Sequence, residues 1–185
     1  MGKWSRSFAS GRGATFAIIM LMILGCASAA RAQDVRTPAP VTPPPIPVGP
    51  VKMEEVFQFN EEYKPLAEAY KPIGSGVEFL KKYPKTIRIE VFYGTWCGDS
   101  RSHVPSFLKI IAAANNPHIE ISICAVDRAK QEPADLIKRR RIVRVPTFIV
   151  FDGERELGRI VETPATTIEE DLYKILVNDG AIDQD

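Results

Sequence analysis

Cysteine is scarce in this chain, with three in 185 residues, at positions 26, 97 and 124. So few thiols cannot staple a small fold, and a disulfide framework is excluded. Histidine is scarcer, with His103 and His118 alone. No Cys-x-x-Cys pair stands beside them, so no metal site is expected. Net charge is also missing: 24 Lys and Arg face 23 Asp and Glu. That balance leaves no global field to favour nucleic acid or an anionic membrane. Internal repeats are absent, and the length suits one core with tails, so a single domain with a single site is expected.

What is present begins with a leader. Lys3, Arg6 and Arg12 precede an uncharged run from Gly13 to Ala30 that holds Phe16, Ile18, Ile19, Leu21, Ile23 and Leu24. This is the layout of a signal peptide, and Ala30-Arg31-Ala32 fits a small-x-small cleavage rule, which sets residues 1–32 aside from fold reasoning. A second reading takes Ile23-Leu24-Gly25-Cys26 as a lipobox, with Cys26 lipidated and the protein held on a membrane. A third leaves the run uncleaved as an anchor, although it is at the short end for a span of roughly 20 residues. An exported protein, periplasmic or secreted, is the expectation, with the membrane-anchored lipoprotein as alternative. Residues 33–52 contain the stretch Thr37 to Pro50, TPAPVTPPPIPVGP. It is too proline-dense for helix or sheet and is expected to be an extended spacer.

The domain is expected over 53–180, with 181–185 as a tail. Val56, Phe59, Tyr63, Leu66 and Tyr70 recur at helical spacing, with Pro65 expected to break or bend that helix. Gly74-Ser75-Gly76 punctuates, and Val77 to Tyr83 reads as a short helix. Ile87 to Tyr93 is a β-branched and aromatic run typical of a buried strand. Val104, Phe107, Leu108 and Ile111 then mark a helix that stops at Asn115-Asn116-Pro117. A strand over Ile119 to Val126 and a helix over Ala134 to Arg141 follow. Strands Thr147 to Phe151 and Glu156 to Val161 flank the turn signal Asp152-Gly153, and Ile168 to Val177 closes the chain as a helix. The pattern is α/β: βαβαββα behind an extra N-terminal helical segment.

Cys97 lies in Gly94-Thr95-Trp96-Cys97-Gly98-Asp99-Ser100, where a buried strand hands over to a helix. Backbone N–H groups and the positive end of a helix dipole converge on such a position and favour a thiolate there. With Trp-Cys-Gly at the strand end, Pro105 in the following helix, Val145-Pro146-Thr147 before a strand, and the Asp152-Gly153 hairpin, the segment from about Ile87 to Leu176 resembles the thioredoxin-like superfamily. The resemblance implies a thioredoxin fold, a central mixed sheet flanked by helices, and thiol-disulfide chemistry. It also implies that Pro146 is a cis-proline opposite the active cysteine, and that the backbone around Val145 and Pro146 binds substrate. Trp96, Gly98, Asp99 and Ser100 complete the active-site motif.

Three positions depart from that family. Ser100 replaces the second cysteine, so Cys97 is expected to form a mixed disulfide that an outside thiol must release. Val91 stands where thioredoxins place a buried acid. Asp99 sets a negative charge near the sulfur, with Arg101 of opposite sign close by. Ser100 has two readings, a residue tolerated at a helix start or a hydroxyl donating to the sulfur.

The expected function is therefore monothiol exchange, of reductase, isomerase or deglutathionylation type, on exported proteins or small thiols. No cofactor is expected beyond glutathione or another small thiol as co-substrate. The alternative is a non-catalytic binding module using the groove beside Pro146. Cys124, within an apolar strand, is expected to be buried and inert. His103 is six residues from Cys97, which places it on another helical face. The basic run Lys138-Arg139-Arg140-Arg141 with Arg144 reads either as solvated helix-end charge or as a border of the substrate side that favours anionic thiols or acidic partners. It carries no interleaved aromatics, so no nucleic acid is expected.

Overall fold

The computed structural model describes residues 47–178. The signal peptide, Cys26, most of the proline-rich linker and the tail 181–185 lie outside the described residues.

The sheet is built on β2 (Ile87–Tyr93), whose first residues alternate apolar with charged, Arg88 and Glu90, and whose last three, Val91 to Tyr93, are all buried. Odd-numbered side chains Ile87, Ile89, Val91 and Tyr93 enter the larger core, while Phe92 enters a second one on the opposite face. Strand alternation produces this division. β3 (Ile119–Ala125) lies parallel to β2, with Val91 opposite Ile123. β4 (Thr147–Asp152) lies antiparallel on its other side, with Val91 opposite Phe148. β5 (Arg155–Val161) pairs antiparallel with β4 through a tight turn in which Gly153 takes a φ of 59°. A side chain rarely tolerates that angle. The expected hairpin at Asp152-Gly153 is therefore present.

One strand falls where a spacer is expected. Gly49–Val51, here β1, pairs antiparallel with β3, so Gly49 faces Ala125 and Val51 faces Ile123. The sheet order is β1-β3-β2-β4-β5. Pro50 is compatible with this edge position because an edge strand leaves one side of its backbone unpaired.

The expected N-terminal helix is two helices, α1 (Met53–Phe59) and α2 (Tyr63–Ala69). The break comes before Pro65, at Asn60, whose side-chain amide donates to the Val56 carbonyl at 2.9 Å. Pro65 sits in the first turn of α2, where a missing N–H costs nothing. α3 (Gly74–Lys82) takes in the Gly74-Ser75-Gly76 segment as its first turn instead of being separated by it. α4 (Gly98–Ala114) ends where Asn115 adopts the left-handed conformation, φ 43°. The chain is completed by α5 (Ala134–Arg140) and α6 (Ile168–Asn178).

Residues of α1, α2, α3, α4 and α6 pack on one sheet face in the larger core, where Phe107 of α4 meets Phe148 of β4 at 4.9 Å between ring centroids. Leu136 and Ile137 of α5 cover the other face against Phe92, Ile149 and Phe151. The result is a mixed sheet between helices, with the C-terminal end of β2 opening into α4.

Candidate functional site

The site forms where β2 ends. Tyr93 is the last strand residue, Gly94 turns the chain, and the Cys97 N–H donates to the Gly94 carbonyl at 3.0 Å. Cys97 is extended, with φ −97° and ψ 126°, and occupies the N-cap of α4. Its carbonyl accepts the Arg101 N–H at 3.0 Å, so the first turn of α4 starts from the cysteine itself. The thiol is partly exposed and donates to the Val145 carbonyl at 3.1 Å. The Val145–Pro146 peptide is cis. The fold thus brings Cys97 against Val145 and Pro146, 48 residues away in sequence.

Trp96 precedes Cys97 in the same turn. Its indole N–H donates to the Val126 carbonyl at 3.3 Å, and the side chain packs against the smaller apolar cluster that includes Phe92, Ile142 and Val145. A Cβ placed on Gly94 would lie 2.7 Å from the indole ring, so glycine is required there to let the ring lie flat on the turn. The guanidinium of Arg128 and the ammonium of Lys130 stand over the same ring, 5.3 and 5.7 Å from its centroid. Nothing in the sequence spacing singles out these two cations, because their proximity to Trp96 depends on β3 running beside β2.

Ser100 is fully buried, and its hydroxyl accepts the Gly94 N–H at 3.2 Å. Of the two readings, a tolerated helix-start residue or a donor to the sulfur, the geometry supports a more specific form of the first. The hydroxyl ties the turn at Gly94 to the helix that carries Cys97. Gly98 and Asp99 are exposed at the start of α4. His103 is held below the ordinary histidine range by burial, with the Asp99 carboxylate opposing.

Val91 is buried against α4. The acid of β2 is its neighbour Glu90, which projects from the opposite face and takes both oxygens to Arg140, at 2.6 and 2.7 Å. Arg140 therefore cannot belong to a free basic patch, being only 16% exposed and also stacked on Phe151 at 4.5 Å. Arg144 is likewise joined to Glu162. The run is split by these pairings because Arg140, on α5, faces the sheet. Cys124 is buried on the α5 side of the sheet, and burial, followed by the charge of Glu90, pushes its thiol up to about 11.

Tyr63, the first residue of α2, is fully buried, and its hydroxyl has no hydrogen-bond partner among the described residues. Burial holds its phenol above the ordinary tyrosine range, with Tyr93, Glu62 and then Cys97 adding to the rise. Tyr63 packs against Tyr93 at 6.5 Å between ring centroids in the larger core, where its apolar periodicity also places it. Among the described residues no group of three or more His, Cys, Asp or Glu is arranged to hold a metal ion.

A family model described as Thioredoxin matches residues 52–174, more than half of the chain. Mitochondrial thioredoxin-3 of Saccharomyces cerevisiae is 30% identical over 81 residues, covering 44% of this chain and 59% of that protein. A thioredoxin-like protein of Acanthamoeba polyphaga mimivirus is 24% identical over 83 residues, covering 45% and 58%. The chain spans about three fifths of the length of these curated relatives. Among solved structures, a protein of unknown function from Pseudomonas aeruginosa aligns with a TM-score of 0.48 and 21% identity, over 71% of this chain and 88% of that one. Oxidised mitochondrial thioredoxin 3 of Saccharomyces cerevisiae aligns with a TM-score of 0.37 and 20% identity, over 61% and 98%.

Proposed function

This chain belongs to the thioredoxin family, and from that premise we propose that it exchanges thiols and disulfides through Cys97 alone. The supporting observation is the pairing of a partly exposed Cys97 at the start of α4 with a fully buried serine three residues on. The Cys97 thiolate attacks a target disulfide, forms a mixed disulfide, and expels one target sulfur as a thiolate. An external thiolate then attacks the target's sulfur in that mixed disulfide, leaves with it as a new disulfide, and returns the electron pair to Cys97. Two thiolates are consumed and two are produced, so the cycle balances without a second cysteine in this chain.

In this reading the target segment lies along Val145 and Pro146, with Trp96 and the exposed Val143, 72% accessible, offering apolar contact. The external thiol is a protein thiol or a small one such as glutathione. The exported location belongs to the same proposal, and Lys3, Arg6 and Arg12 ahead of the apolar run support it. The intact mass of the mature N-terminus separates cleavage after Ala32 from lipidation at Cys26.

The test is trapping. Protein purified without reductant and analysed by non-reducing mass spectrometry is expected to carry partners on Cys97 that added thiol releases and Cys97→Ser abolishes. Partners that persist through Cys97→Ser, with no covalent adduct in the native protein, would mean that the groove only binds.

A further inference from the structure

We propose that the site selects disulfides flanked by carboxylates, and that Arg128 and Lys130 are the residues that confer this preference. The inference rests on the exchange reading above. Both cations stand over the indole of Trp96, the residue immediately before Cys97. Neither has a carboxylate within ion-pair distance among the described residues, and both cations rest on the indole face instead.

The loop that carries them is built to hold them there. The Asp127 carboxylate accepts three backbone N–H groups, from Gln131 at 2.6 Å, Glu132 at 2.8 Å and Ala129 at 3.1 Å. The Asp127 N–H in turn donates to the Glu132 carbonyl. Lys130 takes a φ of 55°, a conformation a lysine adopts only where its surroundings impose it. Arg128 is exposed and Lys130 half-exposed, so both charges remain available to a docking partner.

The remaining charge near Cys97 does not cancel this field on the Trp96 side. Arg101 and Glu62 form an ion pair at 3.6 Å on the α2 side, and Arg144 is paired with Glu162. Asp99, in the first turn of α4, and Asp127 and Glu132, on the cations' own β3–α5 loop, are acids without an ion pair among the described residues. Asp127 and Glu132 turn oxygens to backbone N–H groups of that loop and the start of α5, while the two cations reach over Trp96. A disulfide whose neighbouring groups are anionic is thus attracted when it approaches over Trp96. One whose neighbours are cationic is repelled there.

The test compares the rate at which full-length protein reacts with 3,3′-dithiodipropionate, bis(2-hydroxyethyl) disulfide and cystamine, which are anionic, neutral and cationic. Each rate is taken for the native protein and for the double variant Arg128→Glu/Lys130→Glu. The comparison within each reagent removes its intrinsic reactivity. At low ionic strength the variant is expected to slow the anionic reagent about tenfold, speed the cationic one, and leave the neutral one unchanged, with the differences shrinking in roughly 1 M salt. The milder Arg128→Gln/Lys130→Gln, with its melting temperature measured, separates charge from damage to the loop. Glutathione disulfide and a peptide disulfide flanked by two glutamates distinguish the small-molecule source from the protein source, and a gain for either supports the assignment. Equal effects on all reagents, or none, would overturn it while leaving exchange at Cys97 intact. Failure of the native protein to react even with the neutral reagent would instead overturn the exchange reading.

Discussion

Replacing Ser100 by alanine tests what stands in the place of the missing cysteine. The hydroxyl is fully buried and accepts the N–H of Gly94, itself buried at the turn. Removing it leaves that N–H without its acceptor, and an unsatisfied buried donor costs about 1–3 kcal/mol. Alanine recovers a few tenths of a kcal/mol through its higher helix propensity, too little to compensate. The net loss of about 1.5 kcal/mol lowers the melting temperature by roughly 5–9 °C for a domain of this size. Because the Cys97 sulfur is bonded to the Val145 carbonyl and not to this hydroxyl, the pH profile of Cys97 alkylation should be nearly unchanged. Calorimetry and iodoacetamide kinetics on the same sample provide both readouts. An unchanged melting temperature with an altered alkylation profile would refute the reasoning and return the hydroxyl to the sulfur.

Gly94→Ala drives a methyl group into the Trp96 ring at 2.7 Å, and should cost about 1–3 kcal/mol and change the near-ultraviolet signal of Trp96, the only tryptophan between residues 47 and 178. Glu90→Ala strands the guanidinium of Arg140 between α5 and the sheet, at a cost of about 3–5 kcal/mol by urea denaturation, whereas the joint change Glu90→Leu/Arg140→Leu should recover much of it. Asp127 is held below the ordinary carboxylate range chiefly by the backbone N–H of Glu132, so its contribution is complete above its unfolded value and is lost as pH falls through the lower folded one. Trp96 fluorescence should therefore be flat at neutral pH and change only below about pH 4, while Asp127→Asn should alter it already at pH 7. Cys124, pushed up to about 11 by burial, should resist alkylation at pH 8 until the protein is unfolded, leaving Cys97 as the labelled site in the native domain.

Most elements were legible because their signals are local. The alternating apolar residues and β-branched, aromatic character of β2, the helical spacing after Cys97 and the Asp152-Gly153 turn each depend on neighbours a few residues apart. The exceptions arise where distant chain decides. Pro50 is extended in either environment, and only the open edge of β3 makes Gly49–Val51 a strand. Pro65 looked like a breaker, yet the helix ends earlier, where the Asn60 side chain turns back on Val56. The basic run is one cluster along the chain, yet Arg140 faces a sheet carboxylate and Lys138 faces water.

For the site, the sequence by itself determined that Cys97 begins a helix after a buried strand and has no second cysteine three residues on, since both are facts of order along the chain. Only the tertiary structure decided what surrounds the sulfur. Val145, just before β4, and Arg128 and Lys130, on the β3–α5 loop, come from separate stretches of chain, and the parallel pairing of β2 with β3 and antiparallel pairing with β4 brings them to one end of the sheet. Register, unlike periodicity, is a property of two strands together, and no single stretch of sequence contains it.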